Sequence, residues 1–385
     1  MKIHPLLTDP RSVLVLYSPL PAAVAWDDYR RAARQALAGA QFVLEGEHVV
    51  LKPNATSGER FADPDTGITT HPGFLHGLID HCQQQASGSR RPRITIAEDP
   101  RDTDDNQPRH WKNTGFDRLA QETGARLHCP TTYTCVKKLI PQPQSRYAET
   151  PARLNVSRLA VAPNTVLFNV PKLKTHNLAI TSLCLKNLMG LVNVFDRHYC
   201  AQAWQEMPEE ARQERRPKRE WFDRSMHARW QEGLARRLAD TAQVIQPAFN
   251  LIEGIVGREG TGFQRGRNRP LGLVVAGVNM VAVDSVASYL MGFDPQRLIY
   301  LQLAAQIGLG VNVIEQLQVY TLREGQLTLC PDVASLRAIP PFQVLSGIMN
   351  EDPMLFRSPD LTVVDPIDSS WFSAGAPQKK TTAPL

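Results

Sequence analysis

Short, nearly continuous runs of Val, Ile and Leu recur along this chain, separated by longer amphipathic stretches, and that alternation constrains the fold more than any single motif. A strand covered on one face alternates apolar and polar residues, whereas a strand covered on both faces reads as an unbroken apolar run. Strands are therefore predicted at 12–18, 48–52, 93–98, 166–170, 250–255 and 271–276. Helices are predicted at 26–37, 73–85, 180–189, 225–245, 281–291 and 295–307. This order predicts an α/β fold, a mostly parallel or mixed sheet covered by helices on both faces. A chain of 385 residues can bury a large core, and the reading is one α/β domain over 1–345 followed by an extension over 346–385. From Ser373 that extension is rich in Pro, Ala, Thr and Lys, so its last part is expected to be disordered. An Arg- and Trp-rich helical insertion is expected at about 199–237.

The net charge of +5 is a modest excess that selects no class of partner. The amino-terminal stretch has no cationic segment followed by an apolar core, which argues against a secretory signal, and no run approaches the ~18 apolar residues of a membrane span. The six cysteines, Cys82, Cys129, Cys135, Cys184, Cys200 and Cys330, lack paired metal-ligand spacing and read as reduced thiols. A cytoplasmic location and no membrane partner are expected. The insertion combines Trp221 and Trp230 with Arg and Glu, a pattern of solvated helices or of contact surfaces. No nucleic-acid motif accompanies it.

Polar residues gather where predicted strands end, the place where open α/β sheets collect ligands. Residues 171–190 read PKLKTHNLAITSLCLKNLMG, setting Lys172, Lys174, His176, Lys186 and Asn187 beside an apolar helix-like run. Burying ammonium groups is costly unless each finds a partner, so this segment reads as an anion or metal pocket. Residues 172–177 are expected to form a polar loop, with Thr175 or Asn177 capping a helix that carries Ser182 and Lys186 on one face. A lysine buried in this way can act as a base, and the alternative is a lysine that snorkels to the surface. Lys52-Pro53-Asn54 and Thr69-Thr70-His71-Pro72 form a second group, the latter at a helix amino terminus that attracts anions. The intervening 57–67 reads as a mobile loop.

Glu98, Asp99, Glu253 and Asp284 form an acidic set, either partners for the lysines or ligands to a hard divalent metal, joined by His71 or His176. Gly254–Gly266 reads as a glycine-rich loop with interleaved arginines, lacking the lysine of a phosphate loop.

Taken together, these residues resemble the family known as domain of unknown function 362. The matching features are Lys52-Pro53-Asn54, Thr70-His71-Pro72, Pro171 to His176, Thr181, Lys186-Asn187-Leu188-Met189-Gly190 and His198. They continue through Glu253-Gly254, Gly260 to Gly266, Asp284, Met291 to Pro295 and Gly308-Leu309-Gly310, covering roughly 45–312. The resemblance implies no general activity. Some relatives carry a ferredoxin-like iron–sulfur module with clustered cysteines, and this chain lacks that run. Glu253 stands where an aspartate is more usual.

The leading expectation is a metal-dependent enzyme acting on an anionic small molecule, carboxylate or phosphate. Lys174, Lys186 and His176 would be catalytic. Lys52, Asn54, Thr70, Lys172, Thr181 and Asn187 would bind substrate, and His71, His176, Glu98, Glu253 and Asp284 would hold a divalent metal ion. The alternatives are a redox accessory or iron–sulfur protein working with a separate electron carrier, and a binding module using 207–237. The redox reading needs Cys129 and Cys135 to meet Cys82 or Cys184. A homo-oligomer or a redox partner is a further expectation.

Overall fold

The computed structural model describes residues 1–55, 64–85, 91–100, 103–145, 150–176, 178–197, 224–260 and 266–344, with 224–230 described by backbone alone. The expected insertion at 199–237 falls outside these residues as far as position 223, as do His198, Cys200, Asn177, the extension over 346–385 and the 57–67 loop as far as position 63.

The strands are β1 (Ser12–Tyr17), β2 (His48–Pro53), β3 (Arg93–Ala97), β4 (Arg126–His128), β5 (Cys135–Leu139), β6 (Arg153–Ser157), β7 (Thr165–Val170), β8 (Lys172–His176), β9 (Ile180–Ser182), β10 (Phe249–Gly260), β11 (Gly266–Gly277), β12 (Gln318–Arg323) and β13 (Gln326–Leu329). The helices are α1 (Trp26–Gly39), α2 (Pro72–Gln84), α3 (Phe116–Thr123), α4 (Arg158–Val161), α5 (Cys184–Asn187), α6 (Arg224–Val244), α7 (Met280–Leu290) and α8 (Ile299–Gln306). Among the described residues an 11-stranded sheet runs β13-β12-β1-β11-β10-β7-β2-β3-β4, with β8 on β10 and β9 on β8, while β5 and β6 form a separate hairpin.

The run β10-β7-β2-β3-β4 is parallel throughout, so the carboxyl ends of these strands lie along one edge. β11 is antiparallel to β10 and β1, which makes the sheet mixed. Successive residues face opposite layers, as the two-residue repeat of a strand requires. Val49 and Leu51 join the core under α1 and α2, whereas Val50 joins the core that contains residues of α5, α6, α7 and α8. The sheet is thus covered on both faces, which is why its strands read as unbroken apolar runs.

Several local expectations are corrected. Residues 172–176 are a strand rather than a loop: after Pro171 the chain resumes pairing, with Lys172 opposite Glu253 and Lys174 opposite Arg258. The expected cap at Thr175 is therefore absent, and its hydroxyl instead donates to the Gly260 carbonyl at 2.9 Å. The helix predicted at 180–189 begins only at Cys184. Ile180 takes a positive φ of 67°, which no right-handed helix accommodates, and 180–182 pair antiparallel with β8. Ser182 and Lys186 consequently do not share a helix face.

The glycine-rich segment is a long antiparallel hairpin of β10 and β11 and not a phosphate loop, although 261–265 fall outside the described residues. Its glycines answer to packing. A Cβ on Gly254 would come within 2.9 Å of the Leu273 carbonyl and 3.0 Å of Leu173. The predicted 295–307 helix is divided into a 3-10 turn, Pro295–Arg297, and α8.

Candidate functional site

Three lysines lie buried at the carboxyl edge, and their partners differ in kind. Lys52 closes β2. Its ammonium donates to the Pro53 carbonyl at 2.7 Å, to Glu98 Oε2 at 2.6 Å and to Asn187 Oδ1 at 3.3 Å. All three donors of the cation are satisfied, one of them by a carboxylate. Glu98 follows β3 and also accepts from the amides of Ala55 and Asp99. Gly190 closes against this pair: a Cβ there would sit 1.6 Å from Glu98 Oε1 and 2.8 Å from Lys52 Cε.

Lys172, the first residue of β8, donates to Glu253 Oε2 at 2.7 Å, and both side chains are fully buried. Glu253 accepts in addition from the amides of His71 at 3.2 Å and Ile255 at 3.0 Å. The Lys172 ammonium lies 5.6 Å from the centre of the Tyr29 ring, a cation–π contact. Tyr29 stacks on His71 with 3.8 Å between ring centres and 9° between planes. His71 is the N-cap of α2, its Nδ1 accepting from the Gly73 amide at 3.0 Å, so the proton of the neutral ring is on Nε2, 3.4 Å from Asp65 Oδ1. Burial, reinforced by Lys172, lowers the His71 imidazole to about 3.

Lys174 stands two residues further along β8, on the same face as Lys172. Its Nζ donates to Asn54 Oδ1 at 2.8 Å and to the Ile68 carbonyl at 3.0 Å, both neutral oxygens. Among the described residues no carboxylate pairs with it. Burial pulls its ammonium well below the ordinary lysine range, and the charges of Lys186, Arg258 and Lys172 push the same way, against a weaker opposing pull from Glu98. Thr70 braces Asn54, accepting from its amide at 2.8 Å while donating to the Val170 carbonyl at 2.7 Å. Lys186, half-buried on α5, has no hydrogen bond or ion pair with the described residues.

Beneath the lysines an amide chain crosses three strands in register, Lys52 opposite Asn169 and Asn169 opposite Asn250. Asn187 Nδ2 donates to the Lys52 carbonyl at 2.9 Å and to Asn169 Oδ1 at 2.8 Å. Asn169 in turn donates to Asn250 Oδ1 and the Cys184 carbonyl, each at 3.0 Å. The predicted site did not include Asn169, Asn250, Tyr29 or Arg258. The signal for the two asparagines was available, since each interrupts an otherwise apolar strand (Phe168-Asn169-Val170 and Phe249-Asn250-Leu251).

The structure brings together Lys52, Asn54, Thr70, His71, Glu98, Lys172, Lys174, Asn187 and Glu253, with Lys186 within electrostatic reach of Lys174. It does not bring in the others. Thr181 bonds Tyr300 at 2.7 Å and Ser288 at 3.1 Å within the core on one face of the sheet. Asp284 accepts the amides of Cys184 at 2.7 Å and Leu185 at 3.0 Å, capping α5, and burial raises its carboxyl to about 7. His176 Nδ1 accepts the amides of Leu178 and Ala179 in the turn leading to β9.

Of the expected metal set, His71, Glu98 and Glu253 lie with the lysines, whereas His176 and Asp284 do not. Each carboxylate is engaged by a lysine or by amides, and among the described residues no group of three His, Cys, Asp or Glu is placed to hold an ion. Of the cysteines named for an iron–sulfur cluster, Cys129 and Cys184 sit in different core layers, and among the described residues no three of them are grouped to hold a metal. Among the described residues no helix is long and apolar enough to cross a membrane.

A model of the family described as "Domain of unknown function (DUF362)" matches residues 49–289, which span the site from Lys52 to Glu253. A thylakoid-associated protein of Synechocystis sp. is 26% identical over 273 residues, 70% of this chain and 70% of that protein. No solved structure matches the chain.

Proposed function

The chain belongs to the family described as Domain of unknown function (DUF362), and from that premise, which assigns no activity, we propose that it is an enzyme acting on an anionic small molecule, a carboxylate or phosphate, at the carboxyl edge of its sheet. One observation carries the reading. Lys52 and Lys172 are each neutralised by a buried glutamate, whereas Lys174 and Lys186 have no carboxylate partner among the described residues. Lys186, half-buried and without an ion pair among the described residues, sets uncompensated positive charge beside the buried Lys174 nitrogen, and such charge at the rim of a low-dielectric region is a recognition element for an anion.

Lys186, half-buried on a short helix, meets the incoming anion first. Asn54, held by Thr70 and Lys174, orients it, and Arg258 on the neighbouring strand adds to the attraction. Glu98 and Glu253 are committed to lysines and Asp284 to backbone amides, so the reading rests on the lysines rather than on a metal.

The test is urea unfolding of the purified chain at constant ionic strength, with chloride replaced stepwise by inorganic phosphate or by citrate. A ligand present at a hundredfold excess over its Kd stabilises by about 2.7 kcal/mol. Stabilisation of the wild type that disappears in Lys186→Gln supports the reading. No stabilisation by either anion, or equal stabilisation of the variant, overturns it.

A further inference from the structure

The three buried lysines differ in the charge of their acceptors, and the difference reports on their protonation: among the described residues the one acceptor of Lys172 is the Glu253 carboxylate. An ammonium has three N–H donors and no lone pair, while a neutral amine has two donors and one lone pair. Lys52 has three acceptors, one of them a carboxylate, which is the environment of a cation. Lys174 has two acceptors, Asn54 Oδ1 and the Ile68 carbonyl, both neutral. Two acceptors use both N–H bonds of a neutral amine and leave its lone pair free. The groups facing it from adjacent elements are cations, Lys186 on α5, Arg258 on β10 and Lys172 on β8, with the more weakly acting Glu98 after β3 already paired to Lys52.

We propose that Lys174 is a nucleophilic amine that forms an imine with a carbonyl group carried by the anionic substrate, an oxo acid or its phosphate counterpart. This rests on the anion-site reading and adds the carbonyl and the attacking atom. The Nζ lone pair adds to the carbonyl carbon while the carbonyl oxygen gains a proton, giving a carbinolamine. Loss of the hydroxyl oxygen as water, with the two hydrogens that Nζ carried as a free amine, leaves the C=N bond. Amine plus carbonyl gives imine plus water, and no oxidant or reductant is consumed. Burial beside other cations is the environment that keeps a lysine amine unprotonated and nucleophilic near neutral pH. Lys172, two residues away on the same face, cannot substitute, because its nitrogen is held by Glu253.

The experiment treats the full chain at pH 7 with glyoxylate, the smallest oxo acid with an aldehyde, and sodium cyanoborohydride. The reductant converts any imine to a stable carboxymethyl-amine, which peptide mass spectrometry locates. Exposed Lys138 serves as the internal reference. A lysine below its ordinary range holds more of its nitrogen as free amine at pH 7, so faster labelling of Lys174 than of Lys138 is expected. Inorganic phosphate should slow the labelling of Lys174 and leave Lys138 unchanged. Labelling of Lys174 no faster than Lys138 overturns the proposal. If phosphate nevertheless stabilises the wild type, the anion site survives and only the nucleophile is wrong; if it does not, both readings fall.

Discussion

Replacing Lys172 and Lys174 by methionine, one at a time, should have unequal consequences although the two residues lie two apart on one strand. Methionine matches the length of the lysine stem without its charge. Lys172→Met leaves the Glu253 carboxyl buried with the His71 and Ile255 amides as its remaining hydrogen-bond partners among the described residues. At 2.7 Å the pair is worth about 6 kcal/mol at an effective dielectric of about 20 before desolvation is counted. Removing one partner of such a pair leaves a net cost of about 3–5 kcal/mol, and the surviving amides favour the lower figure.

Lys174→Met removes no carboxylate partner. It strands two neutral acceptors, at roughly 1 kcal/mol each, and relieves the burial of an amine that costs a similar amount or more. That variant should stay within about 1 kcal/mol of wild type.

Urea unfolding, followed together by tryptophan fluorescence and far-UV circular dichroism, reads the contrast. With a slope near 3 kcal/mol per molar, Lys172→Met should lower the midpoint by about 1 M and Lys174→Met should hardly move it. Adding Glu253→Gln to Lys172→Met should recover most of the loss, because glutamine can still accept from the amides and carries no charge. Equal destabilisation by the two single variants would refute the assignment of Lys174 as the unneutralised member of the row.

Three further outcomes follow from the geometry. His71 is held at about 3 in the folded chain against an ordinary 6.5, so between those values the unfolded chain binds a proton that the folded chain refuses. Stability must therefore fall as pH drops through that window. Relative to His71→Asn, which keeps a capping acceptor for Gly73, wild type should lose roughly 3 kcal/mol between pH 7 and pH 4 in the same urea assay. Gly190→Ala should displace Glu98 from Lys52, since the added carbon falls 1.6 Å from Oε1, and abolish the phosphate-dependent stabilisation even where the variant folds; unaltered stabilisation would show that the pair is not part of the site. Asn169→Ala should cost about 2–4 kcal/mol by urea unfolding, because Asn187, Asn250 and the Cys184 carbonyl each lose a buried partner, and a cost below 1 kcal/mol would contradict the amide chain.

The fold was legible where burial on both faces left an unbroken apolar run, as at β2, β3 and β7, and where a proline marked the start of α2. It was not legible where pairing overrode local pattern. Residues 172–176 carry three cationic or titratable side chains at alternate positions, the mark of a strand with one polar face, but their polarity imitates a loop. Residues 180–189 have the apolar density of a helix, yet the backbone at Ile180 and the pairing of β9 with β8 keep the first turn from forming. β4 and β13 are short and at least half-exposed, and nothing in their composition separates them from loops.

The candidate site followed the same division. That lysines and carboxylates would meet at strand ends could be read from the sequence, because each polar group closes an apolar run and must find a partner. Which lysine meets which carboxylate could not, because the pairing depends on register: β8 lies on β10 so that Lys172 falls opposite Glu253 and Lys174 opposite Arg258. This register divides two chemically identical residues into a neutralised cation and an amine among cations. Shifting the pairing by two residues would keep the same face inward while exchanging their partners. The irregular β8–β10 register between Glu253 and Arg258 sets Lys174 beside an arginine instead of an acid. The reactivity proposed for Lys174 is thus a property of strand alignment, and deleting one residue between Gly254 and Gly257 should remove it by moving Arg258 out of register while leaving every lysine in the chain.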